Sequence, residues 1–107
     1  MLSIINRIYD TIVKRKDADP KSSYVAGLFA KGSKKIAQKI GEEATETVLA
    51  SAGGNKQEIV SESADLLFHL LVLWAAHDIK PDDIAEELTK REGMSGLDEK
   101  AQRTKNH

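Results

Sequence analysis

The chain contains no cysteine and few aromatic residues among its 107 positions. Without cysteine, disulfide bonds and cysteine-ligated zinc sites are excluded, which is compatible with a reducing compartment. The scarcity of aromatic residues beside many aliphatic ones favours helices over a β-sandwich. Its 16 basic and 17 acidic side chains nearly cancel, so no overall field attracts nucleic acid or an anionic membrane. A charged partner must therefore bind at a local cluster.

Long apolar runs are also missing. The longest unbroken run, Leu70 to Ala76, is far shorter than the ~20 residues that a membrane-spanning helix needs. Residues 1–16 alternate apolar with polar side chains, which is not typical of a secretion signal. We therefore expect a soluble, cytoplasmic protein that binds neither nucleic acid nor a membrane. The length suits one domain, residues 1–107.

Apolar residues recur at helical spacing along nearly the whole chain. Asp19 followed by Pro20 is a helix-start signal, and Ser33 and Asn55 are further candidate caps. The pattern predicts about five helices, over residues 2–16, 20–31, 34–52, 56–77 and 81–92. The polar tail from about residue 93 is predicted to be flexible, with at most a short helix near residues 98–103.

The third and fourth predicted helices are separated by a short turn that contains Gly53 and Gly54. Helices joined so closely should pack antiparallel as an αα-hairpin. The predicted fold is therefore an all-α, antiparallel helical bundle. Because so small a domain buries a limited share of its surface, we expect dimerisation to complete the bundle.

Acidic residues lie three positions apart on both hairpin helices, as Glu43 and Glu46 on the third and Glu62 and Asp65 on the fourth. The fourth helix is otherwise apolar nearly all round, and burying an unpaired carboxylate is costly. If the two acidic pairs face each other, a divalent cation is needed between them. Oxygen ligands without cysteine favour Mg²⁺, with Mn²⁺ also suitable, over zinc.

A simpler interpretation is that the acidic residues of the third helix form a solvated face. The helical spacing predicts that Glu43 lies at the edge of an apolar arc, with Glu42 turned further away. That arc consists of Ala37, Ile40, Ala44 and Val48. His69 continues the acidic stripe of the fourth helix, and a core histidine is a more common outcome than a metal ligand.

Basic residues precede the acidic segment. Lys31, Lys35 and Lys39 lie around a predicted helix start, and helix N-termini attract phosphate. The pattern lacks the spacing of a phosphate-binding loop, so solvated lysines are the alternative. Arg15, at the end of the first predicted helix, either contributes to phosphate binding or complements the helix dipole.

Two acidic segments resemble the E-E-x-x-E…E-x-x-D motif of the MazG-like all-α nucleoside triphosphate pyrophosphohydrolases. They are Gly41-Glu42-Glu43-Ala44-Thr45-Glu46 and Glu62-Ser63-Ala64-Asp65. Segments over nearly the whole chain also resemble the phosphoribosyl-ATP pyrophosphatases of histidine biosynthesis. They include Arg15-Lys16-Asp17-Ala18-Asp19-Pro20, Leu28-Phe29-Ala30-Lys31-Gly32 and Asp65-Leu66-Leu67-Phe68-His69.

The resemblance implies an all-α homodimer that hydrolyses phosphoribosyl-ATP to phosphoribosyl-AMP and pyrophosphate, using water activated by Mg²⁺ at the α–β phosphate linkage. By position, Glu43, Glu46, Glu62 and Asp65 match the metal-ligand motif. Glu42 matches its leading glutamate, which binds a second metal or orients water, so the expected catalytic residues are Glu42, Glu43 and Glu46. The expected phosphate-binding residues are Arg15, Lys31, Lys35 and Lys39.

Two other functions remain open from the sequence. The first is a house-cleaning pyrophosphatase of the same superfamily that acts on dUTP or another nucleoside triphosphate. The second is a non-catalytic helical dimerisation module, in which the acidic residues bind no metal and their neutralisation leaves function intact.

Overall fold

In the computed structural model, which describes residues 2–93, the chain forms five α-helices and no strand. The all-α prediction is therefore confirmed. The helices are α1 (Leu2–Lys14), α2 (Tyr24–Lys31), α3 (Ser33–Gly53), α4 (Lys56–Ala76) and α5 (Pro81–Arg91). The most extensive packing joins α3 to α4, while α1 packs on α4 and α5, and α2 packs on α3. The predicted polar tail lies almost entirely outside the described residues.

The turn between α3 and α4 follows from its local sequence. Gly54 adopts a left-handed conformation (φ 76°), and its N–H donates to the carbonyl of Ala50. Asn55 then caps α4, because its side chain accepts a hydrogen bond from the N–H of Glu58 at 3.2 Å. The two longest helices therefore form the predicted antiparallel hairpin.

The start of α2 differs from the sequence prediction, which placed the cap at Asp19. The Asp19 side chain instead accepts a hydrogen bond from the N–H of Lys21 at 2.9 Å and closes a turn. Ser23 has an extended backbone and its hydroxyl accepts the N–H of Ala26, so α2 begins at Tyr24. An aspartate before proline suits a turn as well as a helix start, and here the turn forms.

Two other helix ends also differ from the predictions. The first helix ends at Lys14, since the residues that follow it form turns. Ser33 is the first residue of α3 rather than its cap. Its hydroxyl lies 3.1 Å from Nε2 of His77 and thereby links the start of α3 to the end of α4.

The buried face of α3 is not the predicted apolar arc. Ile36, Glu43 and Ala50 are buried, whereas Ala37 and Val48 are exposed. Relative to the predicted orientation, α3 is rotated about its axis so that the side chain of Ile36 packs into the apolar core. Glu43 therefore lies in the interior rather than at the predicted edge of the apolar arc, where an unpaired carboxylate is costly.

The apolar core lies where α1, α2, α3 and the second half of α4 meet. Among the described residues, α4 alone is long and apolar enough to cross a membrane. Core helices pass the same test, and several of its residues are buried against the other helices. The buried cluster consists of Ile12, Val25, Leu28, Ile36, Leu71, Val72 and Ala75.

Side chains from α1 and the turn after it fix the end of α4 and the connection to α5. The ammonium group of Lys16 donates to the carbonyl of Ala75 at 3.2 Å and lies 5.4 Å from the centre of the Phe29 ring. This position adds a positively charged donor to a carbonyl at the C-terminus of α4, where a cation complements the helix dipole. The hydroxyl of Tyr9 donates to the carbonyl of Ile79 at 2.6 Å.

Candidate metal and active site

Acidic residues of α3 and α4 converge at the hairpin interface. Glu43, Glu62 and Asp65 each place a carboxylate oxygen within 4.8 Å of the other two. The antiparallel pairing of the two helices explains this, because it places Glu43 of α3 beside Glu62 and Asp65, which lie three residues apart on α4. Three of the four predicted metal ligands therefore lie around one point. The fourth, Glu46, lies beside them, close to Glu43 and Glu62.

In the part of the chain that the structure describes, two carboxylates in this cluster each have an oxygen without a hydrogen-bond partner. Glu43 is only 8% exposed. Within residues 2–93, Oε2 of Glu43 and Oε2 of Glu62 are buried and have no hydrogen-bond partner. Leaving a buried acceptor unsatisfied costs about 1–3 kcal/mol, and more when it is charged. A group that satisfies both oxygens is therefore expected between them.

Burial and mutual repulsion both act on these acids. Burial, followed by the charge of Glu46, raises the pKa of the Glu43 carboxyl. Contact with the Glu46 carboxyl, followed by burial, raises the pKa of Glu62. Both acids therefore resist ionisation in the absence of a cation. Oxygen donors on two helices, two of them unpartnered, suit a hard divalent cation such as Mg²⁺ or Mn²⁺.

Glu42 lies outside this cluster. It is exposed, and its carboxylate accepts hydrogen bonds from Gln38 and from Lys39, each at 3.1 Å. The hydrogen bond from Lys39, followed by that from Gln38, lowers the pKa of the Glu42 carboxyl. Glu42 is therefore an ionised group near the cluster. Its exposure agrees with the prediction that it is turned away from the apolar face of the helix.

The predicted phosphate-binding residues are spread along the chain. Lys39 lies near the acidic cluster, since its ammonium pairs with the neighbouring Glu42 and also interacts with the charge of Glu43. The charge of Lys35 also contributes to the lowered pKa of the Glu42 carboxyl. Arg15 follows α1 and Lys31 ends α2. Within residues 2–93, neither of these two forms a hydrogen bond or ion pair with the cluster.

Comparison with known proteins identifies the family. The phosphoribosyl-ATP pyrophosphohydrolase family matches residues 5–92, which include all of the converging carboxylates. The chain belongs to this family. A relative from Erythrobacter litoralis, named phosphoribosyl-ATP pyrophosphatase, is 55% identical over 102 residues, covering 95% of this chain and 98% of the relative.

Two further relatives with the same name support this membership. The protein from Azospirillum brasilense is 52% identical over 98 residues, covering 92% of this chain and 88% of the relative. The protein from Geobacter sulfurreducens is 54% identical over 100 residues, covering 94% and 93%. The match to the phosphoribosyl-ATP pyrophosphohydrolase family covers the whole α3–α4 hairpin.

The acidic surface continues from the cluster toward the turn of the hairpin, where Glu58 joins Glu46 and Glu62. A cavity of about 250 Å³ lies there, lined by both acidic and apolar residues. Since Glu46 and Glu62 line it, the cavity opens directly beside the carboxylate cluster. Its lining residues are Glu46, Leu49, Ala50, Glu58 and Glu62.

One feature beside the cluster was not predicted from the sequence. The hydroxyl of Tyr24 lies 2.8 Å from Nε2 of His69, and Nδ1 of His69 lies 2.7 Å from the backbone carbonyl of Asp65. His69 is buried, which agrees with the interpretation as a core histidine. Its partner Tyr24 is 45 residues away in the chain, so no local pattern could indicate the pair.

Proposed function

We propose that the chain hydrolyses phosphoribosyl-ATP to phosphoribosyl-AMP and pyrophosphate, as a cytoplasmic enzyme of histidine biosynthesis. Family membership supports the substrate, since the relatives above are named for it. The observation that carries the chemistry is the convergence of Glu43, Glu62 and Asp65, with two buried carboxylate oxygens unpartnered among the described residues. A solvated acidic face would not bury oxygens in this way.

The proposed cofactor is Mg²⁺, with Mn²⁺ as a functional substitute. Glu43, Glu62 and Asp65 would hold it, and Glu46 is close enough to Glu43 and Glu62 to complete the ligand set. When bound, the cation neutralises charge on the triphosphate and lowers the pKa of the attacking water. Burial raises the pKa of Glu43 and contact with the Glu46 carboxyl raises that of Glu62, and a bound cation would offset both by favouring the ionised forms.

The remaining residues act through charge and hydrogen bonding. Ionised Glu42 can accept a hydrogen bond from the attacking water and so orient it. Lys39 and Lys35 contribute positive charge that favours departure of pyrophosphate. Arg15 and Lys31 are proposed as further phosphate ligands, which contact the triphosphate when substrate is bound.

We further propose that the enzyme is a homodimer that covers the turn end of the α3–α4 hairpin. Three large apolar side chains are exposed there: Val48 (67%), Leu49 (65%) and Val60 (69%). Exposed apolar residues gathered at one end of two helices are typical of an interface. This surface adjoins the cavity beside Glu62, because Leu49 belongs to both.

A parallel substrate assay tests the proposed activity. Phosphoribosyl-ATP, ATP and dUTP are each incubated with enzyme and Mg²⁺, with and without EDTA, and released pyrophosphate is measured. We expect phosphoribosyl-ATP to be the best substrate, and EDTA to abolish its turnover. Asp65→Asn should be inactive yet folded, whereas Glu86→Gln, an exposed change on α5, should be fully active.

Two results would reject the proposal. Faster turnover of dUTP would assign the chain to nucleotide house-cleaning instead. Pyrophosphate release from none of the three substrates by the folded wild-type chain would favour the non-catalytic dimerisation module.

A further inference from the structure

A chain of two hydrogen bonds connects the first residue of α2 to the acidic face of α4. The hydroxyl of Tyr24 and Nε2 of His69 are 2.8 Å apart, and Nδ1 of His69 is 2.7 Å from the carbonyl of Asp65. His69 is 6% exposed, and Glu43 is the other buried polar or charged residue in the described part of the chain. His69 and Glu43 lie close enough to interact electrostatically, so these two buried groups are neighbours.

The direction of both hydrogen bonds follows from chemistry. A backbone carbonyl only accepts, so Nδ1 of His69 must carry a proton and donate it to Asp65. In the neutral ring Nε2 is then an acceptor, and the hydroxyl of Tyr24 must be the donor. Burial raises the pKa of the Tyr24 hydroxyl, and nearby carboxylates add to this effect while Lys39 opposes it. The hydroxyl therefore keeps its proton and can donate it.

Packing holds the imidazole in this orientation. The ring of His69 meets Tyr24 edge-on with centroids 5.8 Å apart, and meets Phe68 edge-on at 5.5 Å. Both ring nitrogens are engaged, so His69 has no free lone pair for a cation even though it lies next to Glu43. Without the Tyr24 hydroxyl, Nε2 would be a buried acceptor without a hydrogen-bond partner, an unfavourable state that the ring can leave only by changing its orientation.

We propose that Tyr24 is a positioning residue of the active site, which acts through His69. Its hydroxyl holds the imidazole of His69 against the backbone carbonyl of Asp65. The ring therefore cannot turn, and the positions of Asp65 and Glu43 beside it are maintained. It also keeps His69 out of the cation site. This inference rests on the proposed metal site, and it gives α2 a function beyond closing the core.

The test compares Tyr24→Phe with Tyr9→Phe. Each variant loses one tyrosine hydroxyl that makes a hydrogen bond to another part of the chain, but Tyr9 bonds to Ile79 away from the acidic cluster. Three measurements are made on the full chain: Mn²⁺ affinity without substrate, kcat and KM for phosphoribosyl-ATP, and the ¹⁵N resonances of the His69 ring. The His69 signals are assigned by their loss in His69→Gln.

We expect both variants to melt at slightly lower temperatures than the wild type. Only Tyr24→Phe should weaken Mn²⁺ binding and reduce kcat, each roughly tenfold, the lower range for loss of an outer-shell partner. KM should change less than kcat, because the effect acts on the carboxylate face rather than on substrate contacts. The Nε2 resonance of His69 should move in Tyr24→Phe and stay in place in Tyr9→Phe.

The inference is wrong if Tyr24→Phe changes Mn²⁺ affinity and kcat no more than Tyr9→Phe does. It is equally wrong if the His69 resonances are the same in Tyr24→Phe as in the wild type. Either result, with Mn²⁺ bound normally by the wild type, leaves the proposed metal site intact. Failure of the wild type to bind Mn²⁺ would instead reject the metal site, and the inference with it.

Discussion

Glu43 occupies a position on α3 where the fold calls for an apolar side chain. Ile36 and Ala50 are the other buried residues of α3, and they lie on the same face as Glu43, seven residues before and after it. A buried, unpartnered carboxylate destabilises a fold, and neutral or apolar replacements are often more stable. Its presence here is explained by the cation that we propose it binds.

Glu43→Gln separates stability from function at this position. The amide keeps the shape of the side chain but removes the buried charge. Without metal, we expect the variant to melt at a higher temperature than the wild type. Its activity on phosphoribosyl-ATP should fall by more than the roughly 10–100-fold that loss of an outer-shell partner costs. Thermal melts in EDTA and a pyrophosphate assay check both, and an active variant would exclude Glu43 as a ligand.

The raised pKa values of Glu43 and Glu62 also predict how stability depends on pH without metal. The ordinary carboxyl pKa is 4.5, and the folded-state values lie above it. Between the ordinary and the raised values, the folded chain binds more protons than the unfolded chain. These two groups therefore make the free energy of unfolding decrease as the pH rises through that window.

Urea denaturation in EDTA across this pH window, on the wild type and on Glu43→Gln, isolates the effect. The difference between the two free energies of unfolding removes the contribution of groups that do not interact with Glu43, and leaves that of Glu43 together with its effect on Glu62. We expect the wild type to lose stability relative to Glu43→Gln as the pH rises above 4.5. A difference that is constant with pH would show that burial does not perturb Glu43.

At the scale of single elements, α2 is the segment that connects local sequence to the site. Its first residue, Tyr24, carries the hydroxyl that meets His69. The position of that residue depends on which side chain caps the helix. Ser23 does so by accepting the N–H of Ala26 at 3.2 Å, whereas Asp19 belongs to the preceding turn.

Ser23→Ala should therefore cost about 1 kcal/mol of stability, the typical value for loss of an N-cap side chain. Asp19→Ala should cost less, since it removes one exposed hydrogen bond within a turn. Urea denaturation at pH 7 measures both free energies of unfolding. If Asp19→Ala costs more than Ser23→Ala, the helix begins at the Asp-Pro pair after all.

These elements also show how far sequence alone could reach. Periodic apolar spacing and local caps such as Asn55 predicted the five helices and the hairpin, because both depend on residues close in the chain. The buried face of α3 could not be predicted, since it depends on packing against α4 and places Glu43 inside. The pairing of Tyr24 with His69 depends on tertiary contact and left no local signal.

At the scale of the whole molecule, the described chain leaves apolar surface uncovered. The exposed residues Val48, Leu49 and Val60 lie at one end of the hairpin, and several apolar residues of α4 are only partly buried. A groove of about 350 Å³ between α1, α4 and α5 is also almost wholly apolar. A small domain of this kind is typically stabilised further by association.

Val60→Asp is expected to dissociate the proposed dimer, because it introduces a charge into the interface without a partner. Light scattering coupled to size-exclusion chromatography should give a dimer for the wild type and a monomer for the variant. Val13→Asp, at an exposed apolar residue of α1, is the matched control and should stay dimeric. A wild-type chain that is monomeric at micromolar concentration would reject this interface.

The central claim is that the carboxylates between α3 and α4 bind a divalent cation, and calorimetric titration of metal-free protein with Mn²⁺ tests it most directly. We predict saturable binding to the wild type and to Glu86→Gln, and loss of that binding in Asp65→Asn with the helical fold retained. Equal Mn²⁺ affinity in the wild type and in Asp65→Asn would contradict the account.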